Sequence, residues 1–285
     1  MKRIITIDQE RYIDELLLKG NFSPHVSIQC TKIPHLHEKF IPADSPTTEI
    51  EELKFQGLVG GCMWIAVGTR PDIMFWTSYL SRFSHNPGIK HMEGMQQLLK
   101  YLNVTRGYKI AYLKGDASYI VNAYSNQTLK LEGHTDANLA LEMIDSKQTS
   151  GYIFVMNGAP IAWKTSKQQV PATSSCESVY YAVCDCTKVG VWIKKFMDEI
   201  VVGDDSQPIT IHIDNQAATF IANNSNCGKR ARHNFSQYHY TQEMVRLKQV
   251  KLQYIPSEDN LADMFTKPLS VAVFIKAVDK IMVKN

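Results

Sequence analysis

Apolar residues in the first hundred positions recur at the three- and four-residue spacing of amphipathic helices. After a short strand pattern, RIITI, this spacing predicts four helices: DQERYIDELLLKG, LKFQGLVGGCMWIAVG, DIMFWTSYLSRFS and HMEGMQQLLKYLNV. Asp72 follows a proline and is placed to cap the third of these. Residues 21–50 contain four scattered prolines and no sustained period, so we predict a connecting segment there. The first part of the chain is therefore predicted to be mostly helical.

The pattern after about residue 126 alternates between strands and helices. Short strand patterns come in series, LKLEGHTD, SGYIFVMNG and PIAWKTSKQ, and a long apolar helix follows from about Ser174 to Ile200. Further elements then alternate: the strand ITIHID, the helix NQAATFIANN, a helix from about His233 to Lys248, the strand VKLQYI, and a terminal helix beginning near Asn260. This order predicts a mixed α/β sheet with helices on its faces.

Composition narrows the class of protein only slightly. The chain of 285 residues is 44% hydrophobic, which is enough for a sizeable core, and its net charge of +3 does not by itself indicate a nucleic-acid partner. The six cysteines form no C-x-x-C pair, so we expect a reducing compartment, cytoplasmic or nuclear. The sequence shows neither a secretory signal nor a membrane-spanning run. We expect no membrane association and no small-molecule cofactor.

Three aspartates follow or lie near predicted strands in the second part of the chain. Asp136 ends the strand LKLEGHTD, Asp214 ends ITIHID, and Asp263 lies about one turn into the helix after VKLQYI. If the three converge, their hard oxygen ligands suit magnesium or manganese. Taken singly, each could instead be a turn residue or a helix cap, and Asp214 immediately precedes the helix that starts at Asn215.

Several segments, in order, resemble a known family, the C-terminal end of the Pol polyprotein of copia-type LTR retrotransposons. The segments are LVGGCMWIAVGTRPDIMFWTSYLSRFSHNPGIKHM, GHTDAN, SKQTSGYIFVMNGAPIAWKTSKQQ, IHIDNQAA, KRARHNFSQYHY and YIPSEDNLADMFTKPL. The resemblance covers residues 1–270. It implies a thumb-like terminal fragment of a reverse transcriptase at 1–50, a connection region at 51–125 and an RNase H-like domain at 126–270. Residues 271–285 would form a C-terminal helix or tail.

The resemblance also implies a chemistry. The family's metal-binding acids fall on Asp136, Asp214 and Asp263, which would hold magnesium or manganese for hydrolysis of the RNA strand of an RNA–DNA hybrid. The aromatic-x-Asp-Asp motif of the polymerase occurs nowhere in the chain, so we expect no polymerase activity. A separate reverse transcriptase chain is a candidate partner.

The fourth acid of the family belongs on the long helix, in the stretch SSCESVYYAV. Copia-type elements carry two glutamates two positions apart there, and these align with Glu177 and Val179. Because two positions on a helix rotate the side chain by about 200°, Glu177 is not expected to replace the carboxylate absent at Val179. We therefore expect impaired hydrolysis. The alternative is a non-catalytic nucleic-acid-binding or accessory module derived from retrotransposon Pol.

Basic residues near these segments are candidates for phosphate contacts. They are Lys164, Lys167, Lys229, Arg230, Arg232 and His233. Such residues neutralise phosphates in nucleic-acid complexes, although a basic run of this kind can equally be a solvated surface.

Overall fold

The computed structural model describes residues 4–23, 34, 40, 48–113, 131–138, 147–172, 174–200, 207–223 and 235–284. The chain divides into two compact units. The sheet unit comprises Met1–Ile5 and Tyr112–Thr266, and the helical unit comprises Thr6–Ala111 and Lys267–Asn285. Their bounds differ in kind from those of the family's domains. The predicted division of the chain at residues 50, 125 and 270 therefore stays a prediction.

Apart from the terminal helix, the described helices follow the predicted patterns closely. They are α1 (Glu10–Lys19), α2 (Glu49–Gly68), α3 (Met74–Ser81), α4 (Ile89–Val104), α5 (Ser175–Ile200), α6 (Gln216–Asn223), α7 (Phe235–Arg246) and α8 (Val271–Ile281). The strands are β1 (Ile4–Ile7), β2 (Ile110–Leu113), β3 (Leu131–Asn138), β4 (Thr149–Met156), β5 (Ala159–Lys167), β6 (Ile209–Ile213) and β7 (Val250–Tyr254). Among these helices, none combines the length and the apolar character needed to cross a bilayer.

Local sequence explains where the longest helix of the helical unit begins. The side chain of Thr48 accepts a hydrogen bond from the backbone N–H of Glu51, and the Glu51 carboxylate accepts one from the backbone N–H of Thr48. This capping box satisfies two amide groups that a helix start leaves without intrahelical partners. α1 buries Ile13, Leu16 and Leu17 in the same unit.

Asp72 does not cap a helix, contrary to the prediction. It lies in a 3-10 turn, Pro71–Ile73, and is fully buried. Its carboxylate accepts hydrogen bonds from Arg70 Nε at 2.9 Å, Arg70 Nη2 at 2.6 Å and the Tyr101 hydroxyl at 2.7 Å. The remaining guanidinium nitrogen donates to the carbonyl of Thr105. A buried charge pair of this kind is retained only when its hydrogen bonds are satisfied, and that requirement outweighs capping here.

The sheet unit contains a five-stranded mixed sheet with the strand order β5-β4-β3-β6-β7. β3, β4 and β5 are antiparallel neighbours, whereas β6 and β7 run parallel to β3. Asn157 and Gly158 both have positive φ and form the tight turn between β4 and β5, as an Asn-Gly pair favours. The predicted mixed α/β sheet with flanking helices, preceded by a mostly helical region, is confirmed.

The two faces of this sheet are covered by different elements. On one face, Val179, Tyr180 and Val183 of α5 share an apolar cluster with Phe154 of β4 and Ile211 of β6. Leu131 and Ala137 of β3 pack against this cluster as partly buried residues. Since side chains alternate along a strand, the even-numbered residues of β3 point to the opposite face.

The turn Leu261–Phe265, which comes after β7, packs against β3 and β4 on that opposite face. Sequence predicted one terminal helix from about Asn260, but the structure has a 3-10 turn at Ser257–Asp259, a second at Leu261–Phe265, and then α8. Pro268 explains the interruption, because a proline disfavours helical backbone in the residue before it. The second turn lies over β4, where Gly151 has no side chain to obstruct Phe265.

Candidate metal centre

Asp136 lies inside β3 and not at its end, because the strand continues to Asn138. It pairs with Gly151 of β4, and its side chain points away from the face that carries α5. Only 3% of Asp136 is exposed. Its carboxylate accepts a short hydrogen bond from the hydroxyl of Thr266.

Asp214 follows β6 directly and lies beside Asp136. Thr135 and Ile213 are register partners in the parallel β3 and β6 strands, and an aspartate follows each of them in the chain. Asp214 is not the cap of α6. That role belongs to Asn215, whose side-chain oxygen accepts a hydrogen bond from the backbone N–H of Ala218 at 2.9 Å. The Asp214 carboxylate instead accepts one from the Ser257 hydroxyl at 2.7 Å.

Asp263 lies in the 3-10 turn Leu261–Phe265 and is 6% exposed. Asn260 holds this turn against the sheet, since its side-chain nitrogen donates to the carbonyl of Thr135 and its oxygen accepts from the backbone N–H of Ala262. The hydroxyl of Thr165 on β5 donates to the carbonyl of Phe265 at 2.9 Å. The turn is therefore tied to two strands of the sheet.

The three aspartates converge. One carboxylate oxygen from each of Asp136, Asp214 and Asp263 lies within 4.8 Å of those from the other two. Like charges at this separation, with two of the residues buried, repel one another strongly unless a cation or a proton offsets them. Three carboxylate oxygens from two strands and a turn fit a hard divalent cation such as magnesium or manganese.

Two hydroxyl residues at this centre were missed at the sequence level. Ser257 and Thr266 flank Asp263 in the segment YIPSEDNLADMFTKPL, and each donates to a different aspartate. Nothing in local spacing predicts these contacts, because Thr266 and Asp136 are 130 positions apart in the chain. Hydroxyl residues on both sides of an acid that follows a strand are the only sequence signal that could have indicated them.

Glu177 and Val179 lie on different sides of α5. Val179 is 4% exposed and belongs to the apolar cluster between α5 and the sheet. Glu177 is partly exposed, accepts a hydrogen bond from the Tyr181 hydroxyl at 2.9 Å, and is not a member of the acidic group. The two side chains therefore point in different directions around the helix axis, as expected for residues two positions apart. The assignment of Val179 to the position of the fourth acid stays a prediction.

Lys164 and Lys167 point to opposite faces of the sheet. Lys164 pairs with Tyr152, whose ring packs against the α5 cluster, whereas Lys167 pairs with Thr149, which in turn pairs with Asn138. Lys167 thus shares a face with Asp136, two strands away. The other four predicted phosphate contacts lie outside the described residues: Lys229, Arg230, Arg232 and His233.

Comparison with known proteins places the chain among mobile-element proteins. It is 30% identical over 270 residues to the retrovirus-related Pol polyprotein from transposon TNT 1-94 of Nicotiana tabacum, which is 93% of this chain and 19% of that protein. It is also 30% identical over 283 residues to the Pol polyprotein from transposon RE1 of Arabidopsis thaliana, covering 98% of this chain and 18% of that protein. The chain belongs to the copia-type retrotransposon Pol family. It spans about a fifth of the length of these two relatives.

Another relative is much shorter than these polyproteins. Secreted RxLR effector protein 161 of Plasmopara viticola is 31% identical over 144 residues, which are 50% of this chain and 94% of that protein. No protein-family model matches the chain.

RNase H domains are among the solved structures that this chain is similar to. The N-terminal RNase H domain of rv2228c from Mycobacterium tuberculosis has a TM-score of 0.38 at 10% identity, covering 53% of this chain and 98% of that one. LC11-RNase H1 in complex with an RNA/DNA hybrid has a TM-score of 0.35 at 15% identity, with the same two coverages.

Proposed function

We propose that this chain is an RNase H-like module that binds a divalent cation and RNA–DNA hybrids, and whose ancestral hydrolysis of the RNA strand is impaired. The proposal places it in a reducing compartment, cytoplasmic or nuclear, without polymerase activity of its own. The observation that carries it is the convergence of Asp136, Asp214 and Asp263 at one edge of the sheet, with no fourth carboxylate joining them from the described part of α5.

The three aspartates would hold the cation, magnesium or manganese. When bound, such an ion lowers the pKa of a coordinated water and stabilises charge on a leaving oxygen. The chain's own contribution is positional. Asp136 is fixed within a strand, Asp214 at the end of the neighbouring strand, and Asp263 on a turn tied to both β3 and β5.

Impairment is inferred from the apolar surroundings of Val179. Its cluster includes Ile213 and is flanked by Ala137, which adjoin Asp214 and Asp136 in sequence. A glutamate at position 179 would add a carboxylate on the side of α5 that faces the sheet, whereas valine contributes no ligand. Fewer carboxylates bind a second divalent ion more weakly, so the transition state would lose much of its charge stabilisation.

A cleavage assay tests the proposal. The full chain is incubated with a labelled RNA–DNA hybrid and magnesium, beside the Val179→Glu and Asp214→Asn variants. We expect little cleavage by the wild type, clearly more by Val179→Glu, and none by a double variant that combines the two changes. Val179→Gln is the matched control, because it has nearly the same size but no charge. Efficient wild-type cleavage that Asp214→Asn abolishes would refute impairment.

The second candidate function is a non-catalytic nucleic-acid-binding or accessory module, which could act beside a separate reverse transcriptase chain. The burial of Val179 among apolar side chains favours it. It predicts that hybrid binding persists in Asp214→Asn and that Val179→Glu produces no cleavage.

A further inference from the structure

The segment that supplies Asp263 also carries a hydrogen-bond donor for each of the other two aspartates. Ser257 Oγ donates to Asp214 Oδ2, and Thr266 Oγ1 donates to Asp136 Oδ2. Both donors lie within ten residues of Asp263 in sequence, whereas the two acceptors belong to β3 and to the end of β6. One short segment thus contacts every acid of the centre.

We propose that Thr266 and Ser257 are positioning residues, which fix the carboxylates of Asp136 and Asp214 for a divalent cation. This inference rests on the proposed function, since it concerns the cation site of that function. The inference adds a role for two residues outside the acidic group. They would not bind the metal themselves, but they would determine how tightly the aspartates bind it.

The chemistry of the donors supports this role. A carboxylate has two oxygens, so a hydroxyl that donates to one of them fixes the rotamer of the side chain without supplying a charge. A lysine or arginine in the same place would cancel part of the negative charge that attracts the cation, whereas a hydroxyl leaves all three charges in place.

The two donors are not equivalent. Thr266 is 1% exposed, and its hydroxyl has two acceptors within reach, Asp136 Oδ2 and, at the longer distance of 3.3 Å, the carbonyl of Asp263. Ser257 is exposed, so water can replace its hydroxyl when it is removed. Loss of the Thr266 hydroxyl should therefore cost more metal affinity than loss of the Ser257 hydroxyl.

The test measures binding of Mn²⁺ to the full chain by electron paramagnetic resonance, with Mg²⁺ as competitor. We expect Thr266→Val to weaken Mn²⁺ binding about 10- to 100-fold, the range typical for groups that orient metal ligands, and Ser257→Ala by less. Thr266→Ser restores the hydroxyl and should bind Mn²⁺ nearly as well as the wild type. Far-UV circular dichroism and the urea midpoint check that each variant is folded.

Thr165→Val is the matched control, because it removes a buried hydroxyl that holds the same segment through the carbonyl of Phe265 but contacts none of the acids. If Thr165→Val weakens binding as much as Thr266→Val, docking of the segment explains the effect and the positioning role is wrong. Unchanged binding in both Thr266→Val and Ser257→Ala also overturns it. In those cases the proposed function stands, whereas wild-type binding that Asp214→Asn does not weaken would overturn both.

Discussion

Asp136 and Gly151 face each other in the ladder between β3 and β4, and the turn that carries Asp263 packs directly over this pair. A β-carbon built on Gly151 would lie 2.5 Å from Cβ of Phe265 and 2.9 Å from Cγ2 of Thr266. The missing side chain of Gly151 therefore allows Thr266 to reach Asp136. A glycine outside the acidic group thus provides the space that the contact between Thr266 and Asp136 needs.

Replacing this glycine should damage stability and metal binding together. We expect Gly151→Ala to lower the free energy of unfolding by about 1–3 kcal/mol, as overpacked sites usually do. Mn²⁺ binding should weaken as well, because the turn with Asp263 and Thr266 is displaced. Urea unfolding and Mn²⁺ titration measure the two effects.

A glycine on a helix surface provides the control for that substitution. Gly60 lies in α2, and nothing is within 4 Å of the position a β-carbon would take. Gly60→Ala should raise stability by about 0.5–1 kcal/mol, since alanine has the higher helix propensity, and leave Mn²⁺ binding unchanged. Equal behaviour of the two alanine variants would contradict the role given to Gly151.

Glu177 should prove dispensable for the cation. It lies outside the acidic group and bonds to Tyr181 one turn away in the same helix. Glu177→Gln is expected to change Mn²⁺ affinity by less than about twofold and stability by less than about 1 kcal/mol, because side-chain pairs four residues apart on a helix surface contribute little. Asp214→Asn, measured in parallel, should lose most of the binding. A large loss in Glu177→Gln would show that this acid reaches the metal.

The sequence pattern predicted most of the elements but not how their ends are built. Alternation located β3, yet it placed Asp136 at the strand's end, because the pairing of Asn138 with Thr149 that extends the strand is a tertiary contact. The capping role given to Asp72 also failed. A buried guanidinium two residues away competes for that carboxylate, and burial is not visible in a local pattern.

The three acids of the candidate site could be predicted from the sequence, but the hydrogen bonds that hold them in place could not. Asp136, Asp214 and Asp263 follow or lie near strands that sequence could locate, and parallel neighbours bring such residues to one edge. The hydroxyls of Ser257 and Thr266 could not be assigned, since their partners are 43 and 130 positions away. The opposite orientation of Lys164 and Lys167 follows from their odd spacing once the strand is known.

Alkaline pH should destabilise the helical unit through a buried thiol. Burial raises the pKa of Cys62 from its ordinary value of 9.0 to about 12. The folded state therefore keeps a proton that the unfolded state loses, so the stabilisation is fully present below pH 9 and disappears as the pH rises toward 12. Each pH unit in that window costs about 1.4 kcal/mol from this group.

Cys62→Ala isolates the contribution of the thiol. At pH 7 the variant should be less stable by about 1 kcal/mol, a usual value for a small buried truncation. Between pH 9 and 11 the difference should shrink and then reverse, because only the wild type has the titrating group and loses stability in this range. Urea unfolding at each pH measures this, and parallel pH profiles for the two proteins would rule out the effect.

Lys167 and Lys164 form a matched pair for testing which face of the sheet meets a nucleic acid. Lys167 lies on the face of Asp136, whereas Lys164 lies on the face that packs against α5. If the hybrid lies over the acidic centre, Lys167→Ala should weaken binding and reduce the slope of log affinity against log salt by about 1, as expected for one lost phosphate contact. Lys164→Ala carries the same charge change and should leave the slope unaltered.

Fluorescence anisotropy of a labelled RNA–DNA hybrid at several salt concentrations distinguishes the two variants. Identical losses would mean that only overall charge matters and that the acidic face is not the binding face.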